Sequence, residues 1–163
     1  MNTPKLDKIT EKFDNNVLIY IISRHGMGIR TFADTLTDSI MKTKESCHIY
    51  FFDYDNAEKF KNRFETLKRS KKYAIMYNEP KIFALTIPYK NKPTLADLRN
   101  IGIGIVEQDA DVIMFLHRYD YTADNQDNYY PDITEFIIAK NRYGDTGTIK
   151  LKYNSKLKTF TEE

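Results

Sequence analysis

Between the apolar run Val17 to Ser23 and an amphipathic stretch that begins at Phe32 lies Arg24-His25-Gly26-Met27-Gly28-Ile29-Arg30-Thr31. Strand, glycine loop and helix in that order let backbone N–H groups face an anion. Asp109 and Asp111 look catalytic in isolation, but they stand just before an apolar strand. That position suits backbone capping, or an ion pair with Arg99 or Arg118. Lys140 and Arg142 are two residues apart on a strand pattern, which puts both on one face. The tyrosines at 119, 121, 129 and 130 could stack bases, although loop aromatics more often pack back on their own sheet. His25, His48 and His117 have no ligand spacing, so no metal site is expected. Cys47 has no partner for an intramolecular disulfide, suits the cytoplasm, and is predicted as a small half-buried residue entering a strand.

The elements that must position these groups come from a chain of 163 residues, enough for one domain with its own core, residues 1–163. Hydrophobic residues make up 41% and charged residues 29%, which is too apolar for disorder. The apolar runs are strand-length and too short to span a membrane, and polar residues after Met1 predict no signal peptide. With 25 basic and 23 acidic residues the net charge is +2, so bulk charge does not mark a nucleic-acid binder. The distribution says slightly more. Lysines and arginines crowd Lys59 to Lys72 and Lys150 to Lys158, solvated faces that only weakly suggest contact with phosphate.

Periodicity orders the elements. Leu6, Ile9 and Phe13 predict a short amphipathic helix, and Val17 to Ser23 a strand buried on both faces. A helix follows from Phe32, then a strand at His48 to Tyr54, a helix at Ala57 to Lys68 and a strand at Lys81 to Ile87 stopped by Pro88. Thr94 with Asp97 three residues on makes a weak capping box. Asp111 to His117 is a further buried strand, and Tyr119 to Pro131 reads as a surface loop. Three strands close the chain, the first two joined by a hairpin in which Gly144 and Gly147 are available for positive φ. The expectation is an α/β fold, helices flanking the sheet, with an antiparallel end.

Three stretches carry a resemblance. They are LDKITEKFDNNVLIYIISRHGMGIRTFA (Leu6 to Ala33), LADLRNIGIGIVEQDADVIMFLHR (Leu95 to Arg118) and IIAKNRYGDTGTIKLKYNSKLKTF (Ile137 to Phe160). In this order they resemble the C-terminal RecA-like motor domain of DnaB-type replicative DNA helicases. The pairing of DLR with EQDADV, followed by AK-x-R-x-G-x-TG, is specific. The resemblance implies a P-loop NTPase fold, a mostly parallel sheet flanked by helices with a C-terminal antiparallel hairpin. It further implies ATP with Mg²⁺ as cofactor and DNA unwinding as activity.

The departures from that family bear on chemistry. Its phosphate loop presents a lysine to the β/γ-phosphates and a Ser/Thr hydroxyl to Mg²⁺. In register those positions hold Ile29 and Arg30, leaving a degenerate loop of Gly26, Gly28, Arg30 and Thr31. Sliding the frame by one makes Arg30-Thr31 imitate Lys-Thr, but turns the side chains by ~100° on a helix. Tyr54 falls at the catalytic glutamate, flanked by Asp53 and Asp55. Alternatively, FFDYD is the remnant of the family's Mg²⁺-binding strand. Ile87 stands where a glutamine senses the γ-phosphate. Loss of several positioning groups together predicts a domain that does not hydrolyse ATP. The alternative is an active ATP-dependent helicase using Arg30 and Thr31.

Other positions match. The resemblance gives Lys140 and Arg142 an arginine-finger-like role in a neighbouring subunit's nucleotide site. It gives Arg99, Asn100 and Gly102 a place in a loop that contacts single-stranded DNA, although Asn100 replaces a glutamate there. Implied partners are single-stranded DNA, replicative helicase subunits or further copies of the chain, and not a membrane. The helical domain with which the family forms rings has no counterpart in these residues, so a stable ring of this chain alone is not expected.

Overall fold

Residues 3–70, 79–88, 92–118, 133–154 and 156–163 are described by the computed structural model. Helix α1 (Pro4–Thr10) opens with proline in its first turn, where the missing N–H costs no bond. It therefore starts and ends earlier than the Leu6–Phe13 spacing suggests; Phe13 is still buried, but beyond the helix. Strand β1 (Leu18–Ser23) leads through the glycine loop into α2 (Ile29–Met41). That helix starts three residues ahead of the Phe32 expected from apolar spacing, because Gly28 serves as its N-cap. Then come β2 (His48–Asp53), α3 (Ala57–Arg69), β3 (Lys81–Thr86), α4 (Leu95–Asn100), α5 (Ile105–Asp109) and β4 (Val112–Arg118). Three strands finish the chain: β5 (Ile133–Asn141), β6 (Gly147–Asn154) and β7 (Thr159–Glu162). The one-turn helix α5 has too few residues for a period to show, and sequence spacing missed it.

Seven strands form one sheet in the order β2-β3-β1-β4-β5-β6-β7. β2, β3, β1 and β4 are mutually parallel; β4 to β7 pair antiparallel. The antiparallel end is thus larger than a hairpin, since β4 itself turns the direction of the sheet. Alternation within β1 explains its unbroken apolar run. Ile19 and Ile21 enter one core with Leu6, Phe32 and Leu36, while Tyr20 and Ile22 enter the other with Phe60, Phe64 and Leu98. Burying a side chain of this size contributes about 1.5–3 kcal/mol, so β1, which feeds both cores, is a large part of the hydrophobic stabilisation. Phe83 anchors the second core, edge-on to Tyr20, Tyr50, Phe52 and Phe64 at centroid distances of 5.2–5.8 Å.

The β5–β6 turn corrects a second expectation: neither Gly144 nor Gly147 takes a positive φ. Asn141 shapes the turn instead. Its Oδ1 accepts from the Tyr143 N–H at 3.0 Å, and its Nδ2 donates to the Asp145 carbonyl at 3.2 Å. The tyrosine-rich stretch Tyr119 to Pro131, and Lys71 and Lys72 of the basic run, lie outside the described residues. Among described residues no helix is long and apolar enough to cross a membrane.

Candidate functional site at the carboxyl ends of the parallel strands

Parallel pairing brings three strand ends into a row, with Ser23 beside Thr86 and Thr86 beside Asp53. The Thr86 hydroxyl donates to the carboxylate of Asp53, the acid in this row. Beyond the row, Ile87 is 1% exposed, and its N–H donates to the Ser23 carbonyl at 2.8 Å. Tyr54 turns away, its hydroxyl donating to the Ile101 carbonyl at 2.6 Å.

The loop bends through two left-handed glycines, and its side chains make contacts within the protein. Gly26 and Gly28 both take φ of 81°, which non-glycine residues seldom adopt. Gly28 opens α2, its carbonyl accepting from the Phe32 N–H at 2.9 Å. Met27 is buried at 1%, and Ile29 packs half-buried against the first core. Arg30 lays its guanidinium 4.1 Å from the centroid of the Phe51 ring on β2. Thr31 offers its carbonyl to the Thr35 hydroxyl at 3.0 Å. An isoleucine tied into the core supplies no charge, and an arginine stacked on an aromatic face is a poor substitute for a free ammonium. These side chains do not fit the demands of a magnesium–triphosphate. No group of three or more His, Cys, Asp or Glu residues that could hold a metal ion occurs among the described residues.

A second constellation lies where α4, α5 and β5 meet. β5 carries a bulge against β4: Met114 faces Ile138, yet Ile113 faces Lys140, so Ala139 is the extra residue. Lys140 reaches the Glu107 carbonyl at 2.6 Å, and the Glu107 carboxylate pairs with Arg99 at 3.3 Å. Glu107 thus joins two groups that the sequence assigned to different tasks. Its position within EQDADV drew attention to the motif, but spacing alone could not tell which acid would bind which base. Asn100 is exposed at the end of α4. Gly102 follows at φ 81°, and a Cβ there would lie 2.9 Å from that of Ala57.

The acidic pair is structural in both its members: Asp111 takes a backbone N–H as expected, but the ion-pair partners are other than Arg99 and Arg118. Asp109 pairs with Lys68 at 2.7 Å, and Arg99 is taken by Glu107. Asp111 accepts from the Leu18 N–H at 2.9 Å with one oxygen and from the Arg142 guanidinium with the other. Arg118 lies 5.2 Å from the Tyr153 ring. Sequence distance explains the miss, since Leu18 and Asp111 meet only through the β1–β4 pairing.

An open, partly parallel sheet with helices on both faces and a glycine loop after β1 is a RecA-like α/β domain. Comparison agrees. A DnaB-like replicative helicase, described with its interactions with primase, superposes with a TM-score of 0.67 at 17% identity, covering 98% of this chain and 62% of that one. Residues 87–162 match the model of the DnaB-like helicase C terminal domain. A probable plasmid replicative DNA helicase of Chlamydia psittaci is 32% identical over 147 residues, covering 80% of this chain and 31% of that protein. A probable replicative DNA helicase of Trieres chinensis is 43% identical over 70 residues, 42% of this chain and 15% of that protein. The chain is a homologue of the C-terminal domain of DnaB-type replicative helicases, and it spans about a third or less of the length of these curated relatives.

Proposed function

We propose that this chain acts in DNA replication as a DnaB-derived domain that binds helicase subunits or nucleic acid without hydrolysing ATP. The observation that carries the reading is Ile29: where the family's motor presents a cation to the phosphates, this side chain packs on the protein's own core. Ile87, buried where that family has its γ-phosphate sensor, supports the same reading. Phosphoryl transfer depends on positioned charge, and each missing group removes part of it.

Lys140 and Arg142 are the groups such a domain would offer to a neighbouring subunit's nucleotide. Both are held within the chain, Lys140 by the Glu107 carbonyl and Arg142 by Asp111. Engagement in trans would therefore exchange those bonds for contacts with phosphate. Arg99, Asn100 and Gly102 remain the candidates for single-stranded DNA, with Arg99 leaving Glu107 on binding.

The test is to mix the chain with an intact replicative helicase and follow complex mass and unwinding together. The expected result is a complex and a change in unwinding rate that Lys140→Ala with Arg142→Ala abolishes. Unchanged mass and unwinding, together with no binding to single-stranded DNA, would leave the reading without support.

A further inference from the structure

Apart from the glycine loop, α1 and the β5–β6 turn enclose a cleft of about 230 Å³. Lys5 and Lys8 lie on α1 and Lys12 follows it by two residues. Their spacing, i, i+3 and i+7, puts all three on one side of the helical turns. All are exposed, and none forms an ion pair with a described residue. The chain is nearly balanced in charge, so three free ammonium groups on one wall are a local concentration. Asp145 is the single carboxylate among the described lining residues.

The opposite wall is built to meet an acceptor-rich ligand. Thr146 and Thr148 are exposed and contribute hydroxyls. At Gly147 a Cβ would meet nothing within 4 Å, so the space beside its Cα is open. Beneath lie Ile138 and Ile149, 4% and 7% exposed, an apolar floor that keeps water from below and strengthens charge interactions above it. Asn141 is committed to shaping the turn and holds this wall in place.

We propose that this cleft binds phosphate groups, those of a phosphodiester backbone or of a free polyphosphate, without reading bases. Lys5 and Lys8 stand about one turn apart on α1 and Lys12 lines the cleft beyond its end, a spread that can meet more than one phosphate. The lining has no aromatic ring on which a base could stack. Its volume is also below the ~300–1,000 Å³ usual for pockets that enclose a whole drug-sized ligand. The inference deepens the nucleic-acid arm of the reading above and rests on it; helicase association is measured separately by complex mass, and loss confined to the α1 lysine variant distinguishes this cleft from the Arg99 loop.

The test is fluorescence anisotropy of a labelled oligothymidylate titrated with the chain over a range of salt, with sodium tripolyphosphate as competitor. Replacing Lys5, Lys8 and Lys12 together by Gln is expected to weaken binding on the order of tenfold or more and to lower the salt slope by about 2. The control, Lys150→Gln with Lys152→Gln on the exposed face of β6, is expected to change affinity less than about twofold, the reach of general charge alone. Lysine-dependent displacement by stoichiometric tripolyphosphate would identify a free polyphosphate as the ligand; displacement only in large excess would identify the backbone. The inference is overturned if neither probe binds, if the triple variant binds as the parent does, or if the β6 control loses as much. Circular dichroism of each variant checks that exposed substitutions leave the fold intact.

Discussion

Asp111 shows how much of this molecule depends on single polar groups in defined places. One oxygen takes the Leu18 N–H at the entry of β1, and the other takes Arg142 from the β5–β6 turn. It is only 9% exposed, so removing it strands a buried donor and a guanidinium. Asp111→Ala is expected to lower stability by about 1.5–3 kcal/mol, read from the urea midpoint at unchanged slope. Asp7 gives a pH-dependent counterpart. Burial works to raise its carboxyl, but hydrogen bonds from Lys42 and Ser39 and the Lys42 charge outweigh that and hold it below the ordinary aspartate value. A carboxyl lowered on folding stabilises above its unfolded pKa and loses that contribution as pH falls through the folded one. Acid should therefore destabilise the parent more than Lys42→Ala between neutral pH and pH ~3 in denaturant titrations. Equal losses would mean that Lys42 does not hold this carboxyl down. Burial also pushes the Cys47 thiol up to about 11, in keeping with a packing role for a half-buried residue entering β2.

At the scale of elements, the loop between α4 and α5 is held from two sides. The Tyr54 hydroxyl reaches its Ile101 carbonyl, and Gly102 packs its bare Cα against Ala57 at the start of α3. Gly102→Ala would force a Cβ into a left-handed residue and to within 2.9 Å of the Ala57 Cβ. It is expected to cost about 1–3 kcal/mol by thermal or urea unfolding. A variant as stable as the parent would show that the loop moves freely. Strands β1 and β4 were legible because each is apolar on both faces, which only a central position explains. α5 and the start of α2 were not, since one is a single turn and the other depends on Gly28 adopting φ 81°. The Asn141 turn was hidden for the same reason: a side chain replaces the left-handed glycine that the residue pattern suggests. Partnerships across the sheet, such as Asp111 with Leu18 or Lys140 with Glu107, depend on register and a bulge that no local spacing encodes.

As a whole molecule the chain keeps the architecture of a helicase motor domain, while side chains of its glycine loop pack on the protein itself. The fold was readable from motif order because strand, loop and helix succession survives changes in the loop. That Ile29 carries no charge was readable for the opposite reason: a chemical requirement for charge is met by few residue types. What sequence could not supply was where the replaced side chains go: Ile29 into the first core, and Arg30 onto Phe51. Steady-state ATP hydrolysis by the purified chain, with and without single-stranded DNA, tests this most directly. The account predicts background turnover unchanged by DNA or by Arg30→Ala; DNA-stimulated hydrolysis that Arg30→Ala abolishes would contradict it.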